Sequence, residues 1–420
     1  MAAGLTAPWL SRDGALVFAA RGVRTFAYGF LSVLLAIYLV GVGYSTVAIG
    51  AIFGAALAGD AALTLLMSVV GDTVGRRRSL MLLSLLMVLG GVALVLTRHP
   101  VALTFAAFMG VVSVTSAEAS PFIALDQSVL AQATAELHRT RAFAWYNVIG
   151  SSASALGALF SGLLEILPRV PGVSELDAFR ASFGLYAALG LVSFALVSRL
   201  SGAVEVAVEK RRPYRQALQR SRGVVFTLAA LFSIDALGGG FVVQSLVALF
   251  FHEKFGLGAA AVGALFFGSN LLAAASFLAA AAMARQIGLI NTMVFTHLPS
   301  NVLLMLVAFA PTAPLAVAVF LARQALSQMD VPTRQSYVMG VVDPDERVAA
   351  AGVTALSRNF GQAASPALSG WAIHSLALGA PFVLAGALKI VYDLTLLVLF
   401  RRRPAPEEVP AATVSAPPEL

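Results

Sequence analysis

Gly71-Asp72-Thr73-Val74-Gly75-Arg76-Arg77-Arg78 lies between two apolar segments, 46–70 and 79–97. One acid, a glycine turn and three arginines would attract no notice on a soluble surface. The flanking runs each come near the ~20 apolar residues that cross ~30 Å of hydrocarbon. Between them, the charged octapeptide reads as a short polar loop joining two membrane helices.

Composition supports that reading. The 420 residues are 59% hydrophobic and 12% charged, with mean hydropathy +0.86; soluble domains carry about 25% charged residues. The chain reads as an all-α polytopic membrane protein embedded in lipid. No removable leader is expected, because the apolar run that starts at Ala15 is too long for a signal core. There are no cysteines, which excludes disulfides and thiolate metal sites. The net charge of +7 does not indicate nucleic-acid binding, since arginines collect on the cytoplasmic side of membrane proteins.

Apolar runs bounded by charge, Gly or Pro predict twelve spans. They lie near 14–40, 46–70, 79–97, 102–128, 141–166, 180–199, 223–251, 257–284, 289–310, 314–340, 348–374 and 379–400. With the N-terminus inside, cytoplasmic segments hold 18 of the 28 Lys and Arg residues, external segments hold four, and six lie within spans. This asymmetry places both termini in the cytoplasm. The expected organisation is a six-helix bundle over 1–199, a solvated linker over 200–222, a second bundle over 223–403, and a disordered Pro- and Ala-rich tail over 404–420.

The two halves resemble one another. At an offset of 213, Ser32 matches Ser245, Gly43 matches Gly256, Gly50 matches Gly263, Phe53 matches Phe266 and Gly75 matches Gly288. At 208, Gln127-Ser128 matches Gln335-Ser336, and Ser161-Gly162 matches Ser369-Gly370. The second copy of the charged loop has decayed to Ala284-Arg285-Gln286-Ile287-Gly288-Leu289.

Asp72, Gly75, Arg76 and Arg77 match the G-x-x-x-D-x-x-G-R-R/K loop between helices 2 and 3 of the major facilitator superfamily, with Ser68 in place of the leading glycine. The chain is similar to the bacterial twelve-helix members of that family, drug/proton antiporters among them. The resemblance implies two pseudo-symmetric six-helix bundles, alternating access, a monomer and no cofactor. It also implies that Asp72, Gly75, Arg76 and Arg77 form a conformational latch, and that helices 1, 4, 7 and 10 line a central cavity. The helix 5 antiporter signature is absent, because span 5 lacks its proline. A similar pattern, Gly361 to Gly370 with Pro366, lies in span 11.

Charges inside spans are the candidate functional groups, since each costs ~2.5–3.5 kcal/mol at mid-bilayer and calls for a partner, a wet cavity or a task. Arg24 lies about 15 Å into span 1 at the helical rise, and shares a face with Arg21 and Tyr28. Asp60 is near the middle of span 2. Glu118 precedes Pro121 in span 4. Asp235 in span 7 is followed by Gly238-Gly239-Gly240, which lets the helix bend or approach a neighbour closely. Span 10 carries Arg323, Gln328, Asp330 and Arg334, with Pro332 interrupting its backbone bonding, and span 11 carries Arg358. Arg24 with Asp60, and Asp235 with Arg358, are candidate ion pairs. Lys389 and Asp393, one turn apart on span 12, read as a self-neutralising peripheral pair. His297 reads as a hydrogen-bonded packing residue, and no metal site is expected.

An acid in a partly dry cavity can exchange a proton near neutral pH. Glu118, Asp235 and Asp60 are therefore the proton-coupling candidates, and Arg24, Tyr28, Gln328, Asp330 and Arg358 the substrate-cavity candidates. Three functions fit these residues: proton-driven efflux of a small molecule from a bacterial inner membrane, proton-coupled import or exchange of an organic anion, and a receptor or scaffold that moves nothing. No nucleotide-binding loop, metal cluster or nucleophile–base arrangement suggests an enzyme.

Overall fold

The computed structural model describes residues 10–109, 112–115, 121–134, 139–164, 166–205, 220–343 and 346–401. Fifteen α-helices and two 3-10 turns order these residues, with no strand among them. The helices are α1 (Arg12–Gly41), α2 (Thr46–Val74), α3 (Arg76–Leu96), α4 (Pro100–Met109), α5 (Phe122–Ala133), α6 (Arg139–Leu164), α7 (Glu175–Val197) and α8 (Arg222–Phe241). They continue with α9 (Gln244–Phe255), α10 (Ala259–Ile287), α11 (Leu289–Phe309), α12 (Ala313–Ser327), α13 (Asp330–Val341), α14 (Arg347–Ser375) and α15 (Ala380–Phe400). Among the described residues, eight helical segments are long and apolar enough to cross a membrane.

Three of the expected spans each contain two helices. The segment 314–340 divides at Gln328 and Met329, just ahead of Pro332. A proline lacks the N–H that continues a helix and disfavours helical geometry in the residue before it. The segment 223–251 divides at residues 242–243, after the glycine triplet. The segment 102–128 divides into α4 and α5, with Pro121 immediately before α5.

Local chemistry sets the helix starts. Ser11 Oγ accepts the Gly14 N–H at 3.1 Å and opens α1. Ser174 and Asp177 form a reciprocal capping box that opens α7, satisfying N–H groups that have no partner inside the helix.

The described residues fall into two compact units: those within 1–210, 240–271 and 362–381, and those within 211–239, 272–361 and 382–420. The core of the first is built on Val17, Leu83, Phe122, Tyr146 and Val197. That of the second is built on Phe232, Met293, Tyr337, Tyr392 and Leu396. Within the first unit α1 packs along α6 and α7, and α3 along α7. Ser245 Oγ at the start of α9 donates to the Ser32 carbonyl of α1 at 2.7 Å. Close packing there depends on small residues: a Cβ at Gly50 of α2 would collide with the backbone of Pro366 and Gly370 in α14. Leu96, Phe309 and Val398 are more than 70% exposed, an apolar surface suited to hydrocarbon rather than water.

Candidate functional site

Within the second unit, α8, α11, α13, α14 and α15 converge on the carboxylate of Asp235, which is 2% exposed. Lys389 Nζ of α15 donates to Oδ1 at 2.6 Å. On the other oxygen, Arg358 Nη1 of α14 donates at 2.8 Å and Arg334 Nη1 of α13 at 3.3 Å. His297 Nε2 of α11 stands 4.0 Å away. Such an approach needs glycine. A Cβ at Gly238 would sit 2.9 Å from the Lys389 side chain, and one at Gly361 would strike the Ser233 carbonyl of α8.

A second set of acids supports the first. Arg334 also pairs with Asp330, one turn away on α13, at 2.7 Å. Asp393 of α15 receives His297 Nδ1 at 2.8 Å and Asn301 Nδ2 at 2.8 Å. Arg323 bonds Gln324 at 2.6 Å, and Gln328 is half-buried at the junction of α12 and α13. The expectation for span 12 is corrected here: Lys389 and Asp393 do not neutralise one another but serve different partners. Sequence spacing puts both on one helix face, and the helices packed against that face determine which partner each finds. The site therefore gathers four cations, Arg323, Arg334, Arg358 and Lys389, and three acids, Asp235, Asp330 and Asp393. The acids are buried, whereas the Arg358 side chain is 30% exposed.

The first unit holds a smaller cluster. Arg24 of α1 forms an ion pair with Asp126 of α5, both side chains 1% exposed. Tyr146 of α6 donates its hydroxyl to the same Asp126 oxygen at 2.8 Å. The Arg24 guanidinium lies 4.1 Å from the Phe122 ring centroid, and that of Arg21 lies 4.6 Å from the Tyr146 ring centroid. Cations over aromatic faces gain electrostatic stabilisation without another charge. The expected partner of Arg24 was Asp60; the observed one is Asp126. Asp126 lies two residues inside the end of the predicted span 4, so its depth gave no reason to single it out. Asp60 is 5% exposed, and its Oδ1 has no hydrogen-bond partner. Tyr28 is buried, its ring 6.3 Å from that of Tyr186. Glu118 lies outside the described residues.

The charged loop has a partner that its motif did not announce. Gly75, at φ 101°, ends α2 and starts α3. Glu205 accepts the backbone N–H groups of Arg76 at 2.7 Å and Arg77 at 3.1 Å. An anion at a helix N-terminus satisfies otherwise unpaired donors and complements the dipole. Arg76 Nη1 reaches Gln132 Oε1 of α5 at 2.8 Å, and Gln132 in turn donates to the Ala203 carbonyl at 2.7 Å. The start of the expected solvated linker is thus docked onto α3 and α5. The side chain of Asp72 lies outside the described residues.

Comparison with known proteins places this arrangement. The sequence model described as Major Facilitator Superfamily matches residues 17–323. An uncharacterized membrane protein of Saccharomyces cerevisiae is 26% identical, over 93% of this chain and 94% of its own. Among solved structures, the nucleoside transporter NupG superposes with TM-score 0.70 at 14% identity, covering 93% of this chain and 99% of that one. The human organic anion transporter MFSD10 superposes with TM-score 0.60 at 15% identity, covering 92% and 99%. At such identities the likeness shows a shared fold.

Proposed function

The chain belongs to the Major Facilitator Superfamily, a family of multi-pass membrane transporters, and on that premise we propose that it carries a small organic anion, coupled to protons. The observation that carries this reading is the placing of charge around Asp235. Three cations share one carboxylate, and the cation that faces open space is Arg358. An incoming carboxylate, phosphate or sulfonate can take Arg358 in bidentate fashion. Asp235 then keeps Lys389 and Arg334, so no buried acid is stranded without a counter-ion. Protons are the coupling ion in this reading, with Asp60 and Glu118 as carriers; Asp235, a proton-coupling candidate by sequence, instead acts as the fixed counter-ion of Lys389 and Arg334, and Arg24, Tyr28, Gln328 and Asp330 are cavity groups.

In the same reading the fifteen helices make twelve crossings in two six-helix halves, with α4 and α5, α8 and α9, and α12 and α13 each forming one broken crossing. Both termini are cytoplasmic, the protein is a monomer of the inner membrane, and the loop at Asp72, Gly75, Arg76 and Arg77 acts as the latch. The chain moves its substrate without transforming it and is not an enzyme. One observation favours the other direction of chemistry: the unpartnered, buried Oδ1 of Asp60 suits a proton or an organic cation, as expected of a proton-driven exporter.

The test is thermal stabilisation of the purified protein by two panels, small carboxylates and sulfonates against lipophilic cations, with wild type and Arg358→Gln. The expected result is stabilisation by anions alone, lost in the variant. Stabilisation by cations, or by anions equally in both proteins, overturns the anion reading in favour of efflux of cations.

A further inference from the structure

His297 of α11 sets its two ring nitrogens towards two different acids. Nδ1 lies 2.8 Å from Asp393 Oδ1, and Asn301 Nδ2 donates to the other oxygen of that carboxylate at 2.8 Å. A carboxylate accepts and cannot donate, so Nδ1 carries the hydrogen and the lone pair of the neutral ring sits on Nε2. Nε2 stands 4.0 Å from Asp235 Oδ1, the oxygen that Lys389 Nζ holds at 2.6 Å. The titratable and charged groups around His297 are Lys389, Tyr392 and Asp393 on α15, Asp235 on α8 and, bound to Asp235, Arg334 on α13 and Arg358 on α14. Behind them stand Asp330, paired with Arg334, and Arg323 of α12, whose carbonyl accepts Ser300 Oγ of α11 at 3.3 Å.

We propose that His297 takes up the proton that accompanies the anion, and that its charge releases Arg358 from Asp235 to bind the substrate. The inference rests on the anion-and-proton reading of this site and names the group inside it that couples the two. With the ring neutral, Arg358 is one of three cations on Asp235, so its guanidinium is engaged before any substrate arrives. A proton from water on Nε2 turns that atom into a charged donor beside Asp235 Oδ1. Asp235 then has Lys389, Arg334 and His297 as counter-ions, and the added positive charge repels Arg358. Of the three cations first bound, Arg358 is the one free to leave, its side chain 30% exposed against 9% for Arg334 and 8% for Lys389. Anion and proton together add no net charge to the buried cluster, which avoids the cost of an uncompensated ion. The acids of the cluster suit this task less. A proton on Asp235 would strand Lys389, Arg334 and Arg358, and one on Asp393 would weaken the charge-assisted bonds from His297 and Asn301. An imidazole exchanges its proton near neutral pH without help from its surroundings.

The first arm of the test needs no substrate. Full-length protein in lipid nanodiscs is treated with the arginine reagent phenylglyoxal, and the peptide holding Arg358 is quantified by mass spectrometry. At about pH 8 wild type and His297→Gln are expected to react at equal rates, because the ring is then neutral. At about pH 6 wild type is expected to react about tenfold faster than the variant, the equivalent of one charge-assisted hydrogen bond released. Equal rates at both pH values overturn the proposal. Asp393→Asn removes the charge that holds Nδ1–H and is expected to shrink the pH effect; the full wild-type profile in that variant overturns the part given to Asp393. A merely structural His297 would change stability, checked by size-exclusion chromatography of each variant, without changing this profile. The second arm is calorimetry with benzenesulfonate, which stays ionised over this range, in buffers of different ionisation enthalpy. Near pH 8 wild type is expected to take up about one proton per anion bound and His297→Gln none. Uptake unchanged in the variant overturns His297 as the acceptor. Absence of binding to wild type breaks the anion reading alone, and the labelling still decides whether His297 controls Arg358.

Discussion

The two units solve the same problem with opposite signs. In the first, a cation on α1, Arg24, meets an acid on α5, Asp126. In the second, an acid on α8, Asp235, meets a cation on α13, Arg334. At the 208-residue offset Asp126 falls on Arg334, so the repeat keeps the place of a buried charge and reverses its sign. The same offset sets Gly150 against Arg358. A side chain at Gly150 would collide with the guanidinium of Arg21, so Arg21 fills from α1 the region that Arg358 fills from α14. Arg24 itself falls on Leu237 at the 213-residue offset of the early spans, two residues past Asp235, so what the two units share is one buried charge position, Asp126 and Arg334, whose sign can differ because the partner helix supplies the opposite charge from a nearby position. The first unit balances Arg21 and Arg24 against Asp60 and Asp126. The cluster around Asp235 gathers four cations, Arg323, Arg334, Arg358 and Lys389, against three acids, Asp235, Asp330 and Asp393, and the proposal of an anionic substrate rests on that excess.

The sharpest attempt to break this comparison is Asp235→Asn. It leaves Lys389, Arg334 and Arg358 without their common counter-ion, and removal of one partner from a buried ionic cluster costs about 3–5 kcal/mol. The expected outcome is loss of monodisperse protein in fluorescence-detected size-exclusion chromatography. A variant as stable as wild type would show that the cations are solvated and the cluster is not dry.

Arg24→Met should be slightly milder, about 3 kcal/mol, because Tyr146 still donates to Asp126. The informative experiment is the swap of Arg24→Asp with Asp126→Arg, which gives the first unit the polarity of the second. A coupling of at least ~1 kcal/mol in the double-mutant cycle of thermal stabilities supports interchangeable signs. Purely additive losses mean that the surroundings of Asp126, Tyr146 above all, fix the sign.

Arg358→Gln separates site from scaffold. Its side chain is 30% exposed and Asp235 retains two other cations, so stability is expected to change by less than ~1 kcal/mol. Anion binding should weaken tenfold or more, which corresponds to ~1.4 kcal/mol. Equal loss of stability and binding would move Arg358 from the site to the scaffold.

The smallest effect is expected at the loop. Glu205→Gln keeps the shape of the contact with Arg76 and Arg77 but removes its charge, for about 1 kcal/mol at a helix N-terminus, read as a small fall in Tm. Asp72→Asn is expected to leave expression and Tm intact while slowing transport in proteoliposomes. Turnover equal to wild type would remove Asp72 from the latch.

Much of this was legible in residues alone. Apolar runs located the helices because hydrocarbon demands continuous apolar length. Proline and glycine marked the breaks at Pro332 and after Gly238-Gly239-Gly240 because they alter backbone bonding locally. The charged loop and the intramembrane charges stood out because each is costly where it sits. The choice of partner was legible only in part: Asp235 and Arg358, a candidate pair by sequence, do meet at 2.8 Å, but the other pairings were not. Asp126 rather than Asp60 receives Arg24, Lys389 turns to Asp235 and leaves Asp393 to His297, and Glu205 leaves its apparent linker to engage Arg76 and Arg77. Each of these depends on the rotation and closeness of helices distant in sequence, with Glu205 lying 129 residues from Arg76. Hydropathy and spacing are properties of one helix at a time, and so they determine which charges are buried. Pairing is a property of two or more packed helices, and only the tertiary structure decides it.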